Sequence, residues 1–290
     1  MRILFAFRAD YHNWEPVPAY PWSFVRELEA LGHTVYTTAM AGLPDFILEI
    51  ENGRDEQGEL HFRFTDGSYP DIPKAVLLID SHGHPDLHQL VAKSYDHVFF
   101  AVWSRRDLFA GHPSAHWCPN ATDLEWFDTT KYRSEPHIGV GFFGSKMGLS
   151  RADDLVAVCR KQGWSYDVRQ VAGNRNVNRW PATAEAMARC KVLFNRGQKH
   201  DGPNLRVMES MAMFRPLLSD FDSGSGMSKL FDPYVDYWPY SKPADIEPGL
   251  RMMLGDPGQA YKMASAAYAK VTSAHLVKHR VAQIMEVIGG

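Results

Sequence analysis

The sequence predicts an α/β protein with two domains, each built on a parallel sheet that helices cover on both faces. Short runs rich in β-branched and aromatic residues alternate with helical stretches, which is typical of parallel sheets. A polar segment at residues 122–136 interrupts this alternation, which then restarts. The 290 residues are enough for two domains of about 150 residues each. We therefore expect one domain over residues 1–134 and a second over residues 135–272.

The first domain is expected to contain five parallel strands. The apolar run RILFAF predicts the first, and the helical periodicity from Trp22 to Leu31 predicts a helix that ends at Gly32. The other four strands are predicted at VYTTAM, KAVLLID, HVFFAVW and SAHWCP. Residues 46–67 alternate apolar and polar around turn residues, so we expect a hairpin inserted at the periphery of the sheet.

The second domain repeats the alternation of strands and helices. Its expected elements are the strand HIGVGFFGS, a helix over 150–163, the strand SYDVRQV, a helix near 182–189, the strand KVLFN, a helix over 204–213 and the strand PLLSD. From Gly249 onward the chain is expected to be mostly helical.

Charge is distributed unevenly between the two halves. Residues 1–135 carry 11 basic and 20 acidic side chains, whereas residues 136–290 carry 20 basic and 14 acidic ones. Residues 146–215 hold 13 of those basic side chains against 6 acidic ones, which predicts an anionic ligand on the second domain. The net charge of −3 for the whole chain excludes a polycation that coats nucleic acid.

Cysteine spacing and hydropathy bear on location. Cys118, Cys159 and Cys190 lie far apart without a CxxC pair, which indicates neither a disulfide framework nor a zinc site. No run approaches the roughly 18 consecutive apolar residues of a membrane span, and MRILFAF has no secretion-signal pattern. We expect a cytoplasmic protein without a membrane span, and the sequence leaves its oligomeric state open.

Residues that suit an anion follow the strands of the second domain. Ligands of such sheets bind beyond the carboxyl ends of the strands, where small residues, cations and helix N-termini meet. The candidates are Gly144, Ser145, Lys146, Arg151, Asn195, Arg196, Asn204, Leu205 and Arg206. Glu209 lies one turn beyond Leu205, where a carboxylate can accept both hydroxyls of a ribose. The alternatives are an ordinary glycine turn with solvated cations and, at Glu209, an exposed helix carboxylate.

The string DGPNLRVMESMAMFRPLLSD resembles the nucleotide-sugar signature of glycosyltransferases with the GT-B fold, in particular the spore-maturation-protein-like branch of the group 1 transferases. Collinear segments resemble the same branch: MRILFAF with LEALGHTV, WCPNATDLEWF, HIGVGFFGSKMGLSR and SAHLVKHRVAQIMEVI. The resemblance covers nearly the whole chain. It implies two Rossmann-like domains that face each other across a cleft, with a final helix at 273–290 that returns to the first domain.

The resemblance also implies an activity, which is the transfer of a hexose from a nucleoside diphosphate sugar to an unidentified acceptor. The expected donor is a UDP-sugar, and the expected outcome is retention of the anomeric configuration. Glu209 would match the glutamate that holds the donor ribose, while Arg151 and Lys146 would lie near the diphosphate. No metal or other cofactor is expected, because helix N-termini and cations can stabilise the leaving diphosphate. The E-x7-E pair that group 1 transferases often carry is incomplete, because Asp201 rather than a glutamate lies eight positions before Glu209 and Gly202 lies seven before it. The group that binds the hydroxyls of the donor sugar is therefore not identified.

Candidates for the acceptor side come from the first domain. A carboxylate or imidazole at a strand end can orient an acceptor hydroxyl or act as a base, although such residues also cap helices. The candidate catalytic residues are Asp80, His82 and His84. Aromatic rings in the loop after the first strand can stack on an acceptor, or pack as a lid. The candidate acceptor-binding residues are Asp10, Tyr11 and Trp14.

Three other functions stay open. The segment SHGHPDLH approximates the HxHxDH motif of two-metal hydrolases through His82, His84, Asp86 and His88, although Leu87 displaces the last histidine by one position. The pair Asp220 and Asp222 forms a DxD, which we interpret as a turn rather than a metal site. A catalytically inactive protein that binds a nucleotide is the second alternative.

The third alternative is a DNA-modifying glycosyltransferase that acts on a hydroxylated base in viral DNA. Basic residues between Arg169 and Lys199 favour it, because they could lie along a DNA backbone. The surplus of acidic residues in the first half opposes it, because a surface that binds duplex DNA should be basic.

Overall fold

The chain divides into two compact units, Met1–Asn120 with Val277–Gly290, and Ala121–Leu276. The computed structural model describes residues 1–6, 20–37, 42–51, 62, 64, 65, 67, 69–81, 83–132, 135–145, 150–172, 179–197, 202–220 and 224–289. The second unit includes residues before 135 because Phe127 is buried in its core. The domain bounds at 134 and 272 stay a prediction for the separately folding parts of the chain.

The first unit contains a six-stranded parallel sheet. Its strands are β1 (Arg2–Ala6), β2 (Thr34–Tyr36), β3 (Phe46–Ile50), β4 (Lys74–Leu78), β5 (His97–Phe100) and β6 (Ala115–Trp117). They lie in the order β2-β1-β3-β4-β5-β6. The first helices are α1 (Tyr20–Ala30) and α2 (Pro85–Ala92). Helix α1 buries Phe24, Val25 and Leu28, which recur on one face at helical spacing.

The second unit contains a five-stranded parallel sheet. Its strands are β7 (Ile138–Ser145), β8 (Tyr166–Ala172), β9 (Cys190–Asn195), β10 (Leu217–Asp220) and β11 (Trp238–Tyr240), in the order β11-β10-β9-β7-β8. Its helices are α3 (Asp153–Gln162), α4 (Arg179–Ala188), α5 (Leu205–Ala212), α6 (Met227–Leu230), α7 (Ile246–Gly255) and α8 (Pro257–Ala274). Two parallel sheets flanked by helices confirm the predicted fold class.

The last helix, α9 (Val277–Gly289), belongs to the first unit. Its residues Val277, Val281 and Ile284 are buried, and the helix packs against α1. Arg280 is buried as well, and its Nε donates a hydrogen bond to the carbonyl oxygen of Pro119 at 2.6 Å. The guanidinium therefore ties the end of the chain to the segment that follows β6.

The hairpin expected over residues 46–67 is wrong for the part that the structure describes. Residues Phe46–Ile50 form β3, which pairs in parallel with both β1 and β4, so it is a central strand. All five residues are buried because helices cover both faces of the sheet. Glu49 is the polar exception, and its carboxylate accepts a hydrogen bond from the hydroxyl of Tyr95. Glu49 and Glu51 gave the segment the alternation of a half-buried strand.

Close packing accounts for one glycine and for the state of the three thiols. A Cβ added to Gly141 on β7 would lie 2.5 Å from the Sγ of Cys190, so only glycine fits there. Cys118, Cys159 and Cys190 are all free and buried, and burial raises the pKa of Cys118 and Cys190 to about 12.

Among the described residues, no helix combines the length and apolar character that a membrane crossing requires.

The position of β3 generates a stability prediction. Ile47 is fully buried in the middle of the sheet, so Ile47→Ala should lower the free energy of unfolding by about 2 to 5 kcal/mol. Leu43, 60% exposed just before the strand, is the control, and Leu43→Ala should change it by less than about 0.5 kcal/mol. Urea unfolding followed by circular dichroism measures both. Equal effects would contradict the central position of β3.

Candidate active site

The carboxyl ends of β7 and β9 form the edge of the second sheet where a ligand site is expected. The strand order places the first and third strands of this unit side by side, and ligands of such sheets bind where the strand order reverses. Gly144 lies at the end of β7, where the pairing with β8 shifts register between Gly144 and Ser145. Asn195 ends β9. A glycine at the end of β7 therefore lies beside a polar residue at the end of β9.

Asn195 organises this edge through its side chain and its carbonyl group. The Nδ2 of Asn195 donates to the Oγ of Ser219 at 3.1 Å, and its Oδ1 accepts from the Nδ2 of Asn204 at 3.2 Å. Its carbonyl oxygen accepts from the hydroxyl of Tyr240 at 3.2 Å. The side chain of Asn195 is buried, and these hydrogen bonds satisfy its polar atoms within the protein. Asn195 thus holds β9, β10 and the start of α5 in register.

Helix α5 begins at the position that the sequence predicted. Asn204 is the N-cap, and its Oδ1 accepts a hydrogen bond from the backbone N–H of Val207 at 3.2 Å. Leu205 and Arg206 follow in the first turn, and both are half-buried. The first-turn N–H groups of a helix have no partner within the helix, so this end attracts an anion.

Glu209 is buried one turn further along α5, with only 3% of its side chain exposed. The alternative of an exposed helix carboxylate is therefore wrong. Burial raises the pKa of Glu209 to about 7, although its ion pair with the guanidinium of Arg206 acts in the opposite direction. The neighbouring Met208 and Met211 belong to the apolar core of this unit. A carboxylate held against such a core loses its hydration and gains from any ligand that donates hydrogen bonds to it.

Two charged side chains brace the loops around this edge. The guanidinium of Arg196 lies 2.8 Å from an Oδ2 of Asp154, on the first turn of α3, and 3.5 Å from the carbonyl oxygen of Arg151. Asp220 accepts the N–H of Gly197 through both carboxylate oxygens, at 3.0 and 2.9 Å. Burial raises the pKa of Asp220. Asp220 therefore holds the backbone after β9. The interpretation of the DxD as a turn stays a prediction, because Asp222 lies outside the described residues.

Several predicted site residues lie outside the described part of the chain. They are Asp10, Tyr11, Trp14, His82 and Lys146, together with Asp222 and the side chain of Ser145. Arg151 is described and half-buried, and it forms no ion pair with any other described residue.

A second polar cluster occupies the carboxyl ends of β3 and β4 in the first unit. Glu51 follows β3, and its Oε2 accepts the backbone N–H groups of Ile79 at 2.5 Å and Asp80 at 2.9 Å. The same oxygen lies 3.4 Å from the Nε2 of His88, whose Nδ1 lies 2.9 Å from the Oγ of Ser81. Ser81 and His88 are fully buried. Glu51 therefore fixes the backbone that presents Asp80.

The charge state of Glu51 reflects this environment. Burial alone would raise its pKa, but His88 and the two N–H donors together outweigh burial and lower it. Glu51 was not among the predicted site residues, because residues 46–67 were expected to form a peripheral hairpin. The signal available was its place directly after a short apolar run, the same place that Asp80 has after β4.

The metal-hydrolase alternative does not fit this geometry. His88 faces Ser81 and Glu51 in the interior of the first unit, so it cannot join a solvent-accessible metal site with His84. Asp80 and Asp86 are exposed, and His84 is half-buried at the start of α2. Within the described ranges, no three histidine, cysteine, aspartate or glutamate side chains are grouped to hold a metal ion. Two parallel sheets also differ from the antiparallel sandwich that such hydrolases need.

Solved glycosyltransferase structures have a similar fold. The structure is similar to Anabaena HepE in complex with UDP-glucose, with a TM-score of 0.62, 12% identity and coverage of 100% of this chain and 99% of that one. It is also similar to an α-glucosyltransferase in complex with UDP and a 13-mer DNA containing an HMU base, with a TM-score of 0.64, 10% identity and full coverage of both chains. At these identities the likeness shows the fold alone, which is that of GT-B glycosyltransferases.

The chain belongs to the glycosyl transferase-like family, whose sequence profile matches residues 125–286, more than half of its length. Family and fold together make it a glycosyltransferase. Sucrose-phosphate synthase from Thermosynechococcus elongatus is a third similar structure, with a TM-score of 0.61, 9% identity and coverage of 100% of this chain and 98% of that one. No curated protein sequence matches the chain. The spore-maturation-protein-like branch stays a prediction.

The buried carboxylate of Glu209 predicts a specific pH dependence of stability. Its pKa of about 7 in the folded protein exceeds its ordinary value of 4.5, so the folded state binds the proton more tightly. The free energy of unfolding should therefore fall as the pH rises from 4.5 to 7, by up to about 3 kcal/mol. Glu209→Gln should remove this part of the dependence.

Urea unfolding at half-unit pH intervals measures the effect. The matched control is Glu185→Gln, because Glu185 lies on α4 of the same unit with half of its side chain exposed. The control should follow the wild-type pH dependence. If Glu209→Gln follows it too, the folded protein does not bind the proton at Glu209.

Proposed function

We propose that this glycosyltransferase binds a nucleoside diphosphate sugar at the carboxyl edge of the second sheet and holds the donor ribose on Glu209. The observation that carries the proposal is the burial of this carboxylate beside the capped N-terminus of α5. A buried carboxylate is costly unless hydrogen-bond donors satisfy it, and the two ribose hydroxyls supply two such donors. Glu209 and Arg206 together would then form the ribose site.

The diphosphate is proposed to bind at the N-terminus of α5. Its first-turn N–H groups and the positive end of the helix dipole favour an anion, and Arg151 and Arg206 add charge. Gly144 at the end of β7 allows the backbone to approach closely. Ser145, Lys146 and Arg196 stay predicted members of this site. Negative charge develops on the diphosphate as it leaves, so fixed cations and N–H groups would stabilise the transition state without a divalent metal.

The transfer itself is proposed to proceed through an oxocarbenium-like state, with retention of configuration implied by the resemblance. The acceptor hydroxyl is proposed to be oriented by Asp80, with His82 and His84 as further candidates. Glu51 supports this role because it fixes the N–H group of Asp80. Glu51 is a positioning residue, since its described partners are backbone groups and His88.

A UDP-sugar is the first donor to test, because HepE is similar in fold and its structure contains UDP-glucose. UDP-glucose should bind the wild type, and Glu209→Gln should weaken binding by about tenfold or more, because neutral glutamine accepts hydrogen bonds less strongly than a carboxylate. Isothermal titration calorimetry measures this affinity. Glu185→Gln is the control and should bind like the wild type.

Two further conditions sharpen the donor experiment. Affinity for UDP-glucose should increase between pH 6 and 8 as Glu209 loses its proton, and this increase should be absent in Glu209→Gln. UDP-glucose suits the test because its phosphates are diesters that do not titrate in this range. Affinity should be the same with Mg²⁺ and with EDTA. Equal affinity of Glu209→Gln and the wild type at pH 8 would refute the ribose assignment.

A second candidate function is the glucosylation of a hydroxylated base in DNA. The observation that favours it is the similarity over both full lengths to the α-glucosyltransferase bound to DNA with an HMU base. Charge opposes it, because three arginines of the basic cluster are paired with carboxylates. The pairs are Arg169 with Asp167, Arg189 with Glu185, and Arg196 with Asp154.

The DNA acceptor can be tested directly. The protein is incubated with UDP-glucose and a duplex that contains an HMU base, and mass spectrometry then measures the DNA. Because the first half of the chain has a surplus of acidic residues and three arginines between 169 and 199 are paired with carboxylates, we expect no added hexose. The same duplex with thymine instead of HMU is the control. A gain of one hexosyl group on the HMU strand alone would establish the second candidate.

A further inference from the structure

A surface pocket of about 370 Å³ lies beside β11, at the edge of the second sheet. Its lining includes Tyr234, Trp238, Ser241 and Asp245 together with prolines. Strand β10 separates β11 from β9, so this pocket is distinct from the edge at which the donor is proposed to bind. A pocket of this volume falls at the lower end of the range for small-molecule sites, roughly 300 to 1,000 Å³.

Tyr234 is held in this pocket in a costly backbone conformation. Its φ of 64° lies in the left-handed region, which is unfavourable for an aromatic side chain. Its N–H donates to the carbonyl oxygen of Tyr237 at 2.7 Å, and the N–H of Asp232 donates to the Oδ2 of Asp236 at 2.7 Å. Lys270 bridges both aspartates at 2.5 and 2.6 Å. This rigid loop presents a tyrosine that is 58% exposed, and such strain often marks ligand sites.

The second aromatic ring is fixed just as firmly. The ring of Trp238 meets that of Tyr234 edge to face, with centroids 5.2 Å apart and planes at 86°. A Cβ added to Gly249 on α7 would lie 2.6 Å from the Cδ1 of Trp238, so the indole rests directly on the helix backbone. The two rings therefore form a preorganised apolar corner.

The polar groups of the pocket indicate which ligand fits. Asp245 is the only charged residue in the described lining, so the lining provides no cation for a phosphate. Its Oδ2 accepts the N–H groups of Ser241 and Lys242, both at 3.1 Å, which fixes the carboxylate. A carboxylate can accept about four hydrogen bonds in total, so it can accept more. An apolar wall beside a fixed acceptor matches a neutral ring whose faces carry C–H groups and whose rim carries hydroxyls.

We propose that this pocket binds one hexose unit of a neutral saccharide, with an apolar face of the sugar on Tyr234 and Trp238 and its hydroxyls donating to Asp245. The site would hold a glycan on the second unit independently of the donor. Its ligand differs from the donor in charge, because a nucleotide sugar carries two phosphates and this pocket carries a carboxylate.

Saturation-transfer-difference NMR tests the proposal. The probes are the methyl α-glycosides of glucose, galactose, mannose and N-acetylglucosamine, each measured with UDP in excess to occupy a donor site. Tyr234→Gly removes the ring at a position where glycine is unstrained, so the fold is preserved. Tyr261, 65% exposed on α8, is the control and is replaced by alanine.

At least one glycoside should receive saturation from the wild type, and its affinity should fall by about tenfold in Tyr234→Gly but not in Tyr261→Ala. The proposal is wrong if all four glycosides receive no saturation, or if Tyr234→Gly binds as the wild type does. It is also wrong if a proline-rich peptide binds at Tyr234 while the glycosides do not. Calorimetry with UDP-glucose on Tyr234→Gly separates this result from that of the donor proposal, because donor affinity should be unchanged.

Discussion

Burial of both faces of each parallel sheet is the constraint on which the rest of the structure depends. Strands covered by helices on both sides must be apolar along their length, so polar side chains collect at the strand ends. Those polar groups still need partners, because the ends lie close to the core. In the first unit Glu51 accepts N–H groups beyond β4, and in the second unit Asn195 joins β10 to the start of α5.

Each of the two sheet edges contains a buried carboxylate, but the two carboxylates are compensated to different degrees. Glu51 keeps a charged carboxylate inside the protein because two N–H groups and His88 compensate for burial. For Glu209, only the charge of Arg206 opposes the effect of burial on the pKa, which therefore rises to about 7. A fully compensated carboxylate stabilises the fold, whereas an under-compensated one gains from a ligand. This contrast is why Glu209, rather than Glu51, carries the proposal for the donor site.

Errors in the sequence interpretation had physical causes that can be traced to single residues. Glu49 and Glu51 introduced a period of two, so a central strand resembled a half-buried hairpin. The spacing of His84 and His88 suggested two metal ligands, which requires both side chains to face solvent. The fold instead buries His88 completely. Glu209 was a candidate from the sequence alone, but its burial and its pairing with Arg206 depend on the packing of α5 against the core.

The sequence by itself determined the alternation of strands and helices, the position of most elements and the fold class, because these follow from local periodicity. The family of enzymes was indicated by the resemblance of contiguous motifs. Only the tertiary structure decided that β3 is central, that Asn195 braces the strand ends, and that Glu51 meets Ser81 and His88. It also decided the corner formed by Tyr234 and Trp238 beside Asp245. Such arrangements depend on which strands become neighbours and which side chains lose water, and neither property is encoded within a short stretch of sequence.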